Sequence, residues 1–379
     1  MSRTSPIMQT AAWAALLALS ACGSSEPAAP AAVATAPGEQ VVNVYNWSDF
    51  IDPGIVQDFE KEYGIKVNYD VYDSNELLET KLLTGHTSYD VVVPGGAYFE
   101  RGLQAGVYRA LDVAELPNLP NLDPDAARAA AAYDPDHRFA IPYMWLVTTG
   151  FGYDVDKIAA RLPDAPVHSW RLFFDPAVLS KLQSCGISIL DSPADVLGSA
   201  LLFLGKDPRS ESLSDLAAAE KIMLAMRPYV RFINSSRYID DLANGEICLA
   251  LGWSGDIGAA RFRAHQAGRS ANIAYSVPDE GALSMVDLLA IPADAPHVRN
   301  AHLFINYLLR PEIAARNSQT VRYANSVGAA TALLSADVRE DAAIYPPRQV
   351  RTRLFPDQPK SQAFTRAMMR VWTRFKAGS

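Results

Sequence analysis

From residue 41 onward the chain switches repeatedly between the period of a strand and the period of a helix, and that alternation restricts it to a small set of folds. "VVNVYN" alternates towards a core as a strand does. Asp52 as cap and Pro53 at the first helical position open a helix that Gly64 closes. "IKVNYDV" reads as a second strand. Asp73 and Glu76 have capping-box spacing ahead of "LLETKLL", and Gly85 stops that helix. "YDVVVPGG" is a third strand, apolar enough to be buried on both faces. Strand, helix, strand, helix, strand predicts a parallel, doubly wound sheet.

The same order returns after about residue 145. "VTTGFGYD", "CGISILD" and "YVRFI" read as strands, with "ADVLGSALLFLG" and "SRYIDDLANG" as helices between them. "ICLALGW", "ANIAYSVP" and "LSMVDLLAIP" follow as further strands. A chain of 379 residues exceeds what one core usually serves, so two α/β domains are expected, with the chain crossing between them more than once. The last hundred residues are mostly helical in pattern, as in "NAHLFINYLLRPEIAARNS", broken at Pro311. A formal charge of −8 without a basic patch excludes nucleic acid as a partner and suits a cationic ligand.

The N-terminus has the form of a signal peptide. Arg3 precedes an apolar run from Ala11 to Leu19, too short to span a bilayer, which ends in Leu19-Ser20-Ala21-Cys22. That ending resembles the cleavage and acylation signal of bacterial lipoproteins, with residues 1–21 removed and Cys22 lipidated. Residues 22–40, rich in Ala and Pro, read as a tether to the membrane. Cys185 and Cys248 are then an even pair in an oxidising compartment. Their residues alone leave a disulfide and two separate buried thiols equally open.

Ligands of parallel α/β sheets bind beyond the carboxyl ends of the strands, and there the polar groups gather. Trp47, Ser48 and Asp49 follow the first strand, and Pro94-Gly95-Gly96 the third. Asp191 follows "CGISIL", with Asp195 one helical turn later. "WSGD", Trp253 to Asp256, follows "ICLALG". Asp287 lies inside a later strand, where a carboxylate needs a cation or several donors to offset its burial. Indoles with carboxylates spaced along them suit an alkyl chain that carries more than one ammonium group. Rings contribute about 0.5–2 kcal/mol per cation contact, and each carboxylate at about 4 Å contributes on the order of 4 kcal/mol before desolvation. Taken singly, each has a plain structural reading: Asp49 as capping apparatus, Asp195 as a first-turn acid, Trp253 as core.

Catalytic signatures are missing from the sequence. "GWSGD" has the wrong spacing for a nucleophile elbow, no H-E-x-x-H occurs, and the six histidines form no ligand-like spacing. The reading calls for neither metal nor cofactor. A carboxylate-dependent enzyme acting on a cationic substrate is the less favoured alternative, since scattered carboxylates have no linear motif. A sensor that binds an amine without transporting it would have the same site.

With these residues assembled, the chain resembles the periplasmic polyamine-binding proteins of ATP-binding-cassette importers, most of all their putrescine-binding branch. The resemblance runs from about Val41 to Lys376 through "YNWSDFI", "DVVVPG", "IPYMW", "SCGISILDSP", "YIDDLANGEICLALGWSGD", "DLLAIPADA" and "INYLLRPE". It implies a two-lobed periplasmic-binding-protein fold of type II, each lobe a mainly parallel sheet flanked by helices. The first lobe would comprise 41–143 and about 266–310, the second 144–265 and about 311–379. It implies a monomeric lipoprotein of the periplasm that delivers a polyamine, such as putrescine or spermidine, to a membrane permease. Carried over by position, the family's ligand box falls on Trp47, Ser48, Asp49, Asp195, Trp253, Asp256, Asp287 and Tyr323. Asp256 and Asp287 would hold terminal ammonium groups while Trp253 and Tyr323 sandwich methylenes. The family also tends to pair the cysteines matching Cys185 and Cys248. The chain departs at Phe50, where the branch usually has Tyr, at Gly95 in place of a pocket Ser, at Met285 in place of an aromatic residue, and at Asp195 in place of Glu.

Overall fold

The computed structural model describes residues 40–378. Its strands are β1 (Val41–Trp47), β2 (Lys66–Tyr72), β3 (Val91–Val92), β4 (Ala140–Asp154), β5 (Ile187–Ile189), β6 (Phe232–Ile233), β7 (Leu249–Trp253), β8 (Ile273–Ser276), β9 (Ala282–Ala290), β10 (Ala324–Asn325) and β11 (Leu354–Pro356). Eight of them form one path in the order β2-β1-β3-β9-β4-β7-β5-β6, with β8 and β10 paired to β4 and β11 to β9 off it. Pairing is parallel at each end, β1 with β2 and β3, β5 with β6 and β7. In the middle it is antiparallel, β9 with β3 and β4, and β4 with β7 and β8. The parallel βαβ grammar therefore holds for each lobe's outer strands. It fails where strands cross between lobes and no helical crossover intervenes.

Two hydrophobic cores sit on this path. One gathers residues from Val42 to Val147 and from Val286 to Ile344; the other gathers Phe151 to Ile273 and Phe364 to Phe375. β4 runs through both. Its first half pairs with β9 and its second half, Thr149 to Tyr153, with β7. Between the halves the register slips after Met144, and Leu146 takes a left-handed φ of 54°, the signature of a bulge that redirects a strand. The stretch from 311 to 344, assigned to the second lobe on sequence, packs instead in the first core through Ile313, Val321, Ala330 and Ile344. Its apolar helical face is plain in the sequence, but which core covers that face is not.

Local signals behave as their chemistry dictates. Asp52 caps the helix Pro53–Tyr63 by accepting from Gly54 N, and Gly64 closes it at φ 65°. The next helix, Asn75–Thr84, is capped by Ser74, whose hydroxyl accepts from Leu77 N, and not by Asp73. Pro311 opens the helix Pro311–Val321 at the expected break. Cys185 and Cys248 precede the neighbouring strands β5 and β7 and are joined in a disulfide, their Cα atoms 5.5 Å apart. No described helix is long and apolar enough to cross a membrane. The signal peptide, Cys22 and the tether up to residue 39 lie outside the described residues.

Candidate functional site

A cleft with about 500 Å³ of open space lies where the two cores face each other. Trp47, Ser48, Phe50 and Tyr323 line it from the first lobe, Trp253 and Asp256 from the second, and Met285 and Asp287 from β9, which pairs with β4 beside the crossing. Eight of the eleven candidate residues thus meet in one cavity. Asp49, Gly95 and Asp195 do not line it.

The indoles are set by strand ends. Trp47 closes β1 and donates from Nε1 to the Val93 carbonyl at 3.0 Å. Trp253 closes β7, packs against both cores, and meets the Trp47 ring edge-on with centroids 5.7 Å apart. Phe50 stands edge-on to Tyr323 at 5.0 Å. These rings give apolar walls with their faces and edges held by packing.

The carboxylates differ in how they are held. Asp256 lies in the first turn of the helix Ser254–Gln266. Tyr238 donates to its Oδ2 and Tyr323 to its Oδ1, both at 2.6 Å. One hydroxyl comes from each lobe, so the arrangement draws on both. Gly255 makes it possible, because a Cβ there would stand 2.3 Å from the Tyr323 ring. Burial raises Asp256 to about 6, with the two phenol donors holding it back. Asp287, in β9, is only 5% exposed and has no Lys, Arg or His at ion-pair distance among the described residues. Burial lifts it to about 8, repulsion from Asp195 and Asp256 adds to the rise, and the Trp47 indole opposes it. An ionisable side chain buried without a counter-charge in a cleft is poised to meet a cation.

The three candidates outside the cavity have other partners. Asp49, at φ 57°, accepts from Arg263 at 2.7 Å, and Arg263 also bridges to Asp240. Asp195 is enclosed, taking the hydroxyls of Thr149 and Ser192, and burial raises it above the usual carboxylate range. Gly95 donates its N–H to Asn75 Oδ1 at 2.9 Å, and a Cβ on it would stand 3.0 Å from Asn75 Nδ2. Asn75 thus occupies the space a serine at 95 would claim. Asp191, the other strand-end acid, anchors the C-terminal helix through Trp372 and Lys376.

Several lining residues escaped sequence reasoning. Tyr72, Asp73 and Asn75 follow or end β2; Ser235, Ser236 and Ile239 sit at the start of the helix Arg237–Asn244. The strand-end rule applied to β2 would have found the first three. Among the described residues no group of His, Cys, Asp and Glu could hold a metal ion.

Comparison with known proteins agrees with this architecture. The family model described as a bacterial extracellular solute-binding protein matches residues 54–346. The chain is 49% identical over 342 residues to the putrescine-binding periplasmic protein PotF of Escherichia coli, covering 90% of this chain and 92% of the relative. It is 47% identical over 367 residues to the putrescine-binding periplasmic protein SpuD of Pseudomonas aeruginosa, covering 96% and 98%. A solved structure titled a putative spermidine/putrescine ABC transporter, from Listeria monocytogenes, superposes with a TM-score of 0.80 at 29% identity, covering 89% of this chain and 99% of that one. With its two-lobed sheet, its interlobe cleft and these relatives, the chain belongs to the bacterial extracellular solute-binding proteins.

Proposed function

We propose that this protein captures a small, flexible polyamine outside the cytoplasm, of the putrescine and spermidine class, and hands it to the permease of an ATP-binding-cassette importer. The observation that carries the reading is Asp287, buried in a ring-lined cleft with no cationic side chain at ion-pair distance among the described residues. Asp287 and Asp256 take the charged nitrogens, and Trp47, Trp253, Phe50 and Tyr323 enclose the methylenes between them. Ser48 and Met285 complete the walls, Met285 as an adaptable one. Asp49 and Asp195 act from outside the cleft, Asp49 through the Arg263 contact and Asp195 through its charge. Gly95 serves by leaving room for Asn75. The relatives named for putrescine support the ligand class. The protein works as a monomeric lipoprotein held by Cys22, with its two lobes closing over the ligand about β4.

Calorimetric titration of the purified protein against putrescine, spermidine and agmatine tests the ligand. Asp256→Asn and Asp287→Asn are each expected to weaken binding by about tenfold or more, because a buried ammonium loses its counter-charge. Unchanged affinity in both variants would sink the assignment. Replacing Cys22 by Ser and following the protein between soluble and membrane fractions tests the anchor.

A further inference from the structure

Two carboxylates stand at the rim of the cleft, and one of them is already neutralised. Asp49 is ion-paired with Arg263 at 2.7 Å. Asp73 has no Lys, Arg or His at ion-pair distance among the described residues, and it lines the cavity. Its Oδ1 collects two hydroxyls, Ser48 at 2.7 Å from the first lobe and Ser236 at 2.5 Å from the second. Among the described residues its Oδ2 accepts no hydrogen bond. The carboxylate is therefore fixed in place by one oxygen and free to receive a cation on the other. Its position follows from the local sequence: Ser74 takes the helix cap, which releases Asp73 from the capping role its spacing to Glu76 suggests.

Counting charges along the cavity wall gives three carboxylates, with Asp256 and Asp287 deep and Asp73 exposed at the rim. The buried Asp287, with no cationic side chain at ion-pair distance among the described residues, is the independent sign that a cation enters this cleft. A diamine supplies two positive nitrogens and leaves the rim carboxylate unmatched. A linear triamine supplies a third. We propose that Asp73 is a specificity-determining residue of the cleft, receiving the third charged nitrogen of a triamine such as spermidine and so favouring triamines over diamines. The inference rests on the polyamine reading above.

Because Asp73 also joins the lobes through Ser236, its part in selectivity has to be separated from a part in closure. Titration of the full chain, as wild type, Asp73→Asn and Ser236→Ala, with putrescine and with spermidine separates them. Asparagine keeps an oxygen for both hydroxyls and removes only the charge. Asp73→Asn is expected to weaken spermidine about threefold or more, the scale of a solvent-exposed ion pair, and putrescine by less than about 1.5-fold. The spermidine loss should shrink as salt is raised, since an exposed pair is screened. Ser236→Ala is expected to shift both amines by a common factor. Equal loss of both amines in Asp73→Asn, unchanged spermidine affinity, or a wild type that takes putrescine but not spermidine would each overturn the role of Asp73 while leaving the polyamine reading intact. A wild type that takes neither amine would bring down that reading itself.

Discussion

At the scale of single residues, the role proposed for Asp287 would couple capture to protons. Burial and two neighbouring carboxylates hold it at about 8, so near neutrality the ligand-free site keeps a proton there. An ammonium group pairs with the anion, and binding must expel that proton. The amine itself stays charged across this window, as an alkylammonium like that of lysine titrates near 10. Affinity is expected to rise between about pH 6 and pH 8, by up to about tenfold per unit, and to level off above. Asp287→Asn should flatten that rise. Titration in buffers with different heats of ionisation counts the protons released; a count near zero, with a flat profile, would mean that no ammonium group sits on Asp287. Much of this site was legible beforehand, because Trp47 and Trp253 stand where strand-like runs stop, one alternating and one continuously apolar. Asp73 was not. Asp and Ser are equally good caps, and the capping-box spacing to Glu76 points to Asp73, whereas Ser74 takes the cap.

At the scale of elements, the helix Ser254–Gln266 has two duties seven residues apart on one face. Asp256 in its first turn faces the cleft, while Arg263 ties Asp49 across the mouth and Asp240 on the neighbouring helix. Arg263→Gln is expected to speed ligand release, by up to about fivefold for a half-exposed pair, with little change in the association rate. Stopped-flow measurement of both rates checks this, and an unaltered release rate would leave the pair without a part in closure. The disulfide ties β5 to β7 across 63 residues of sequence. Removing it as the double variant Cys185→Ala, Cys248→Ala is expected to lower stability by about 2–4 kcal/mol in urea unfolding. Elements with local signals, such as the helix from Pro53 to Gly64, were readable from the sequence because cap, proline and glycine lie within one segment. The antiparallel centre of the sheet was not, since β4 and β9 meet across some 140 residues and no local period records the direction of a partner.

At the scale of the whole molecule, residues from both lobes are required to finish the cleft. Tyr238 and Tyr323 reach Asp256 from opposite cores, and Ser236 reaches Asp73 across the mouth. Small-angle scattering is expected to show a smaller radius of gyration with saturating polyamine than without it. Identical profiles would argue that the lobes do not move. The two-lobed architecture followed from the repeated βα grammar. The ownership of residues 311–344 did not follow, because an amphipathic face specifies that it will be covered and leaves open by what.

β4 has residues in both cores, and its bulge at Leu146 directly precedes Val147, a wall of the cavity. Whatever occupies the pocket therefore leans on the strand that crosses between the cores, the pivot proposed above. A substitution that reshapes this wall for a new guest would also reset how readily the jaws part, so ligand choice and opening tendency in this protein must evolve together.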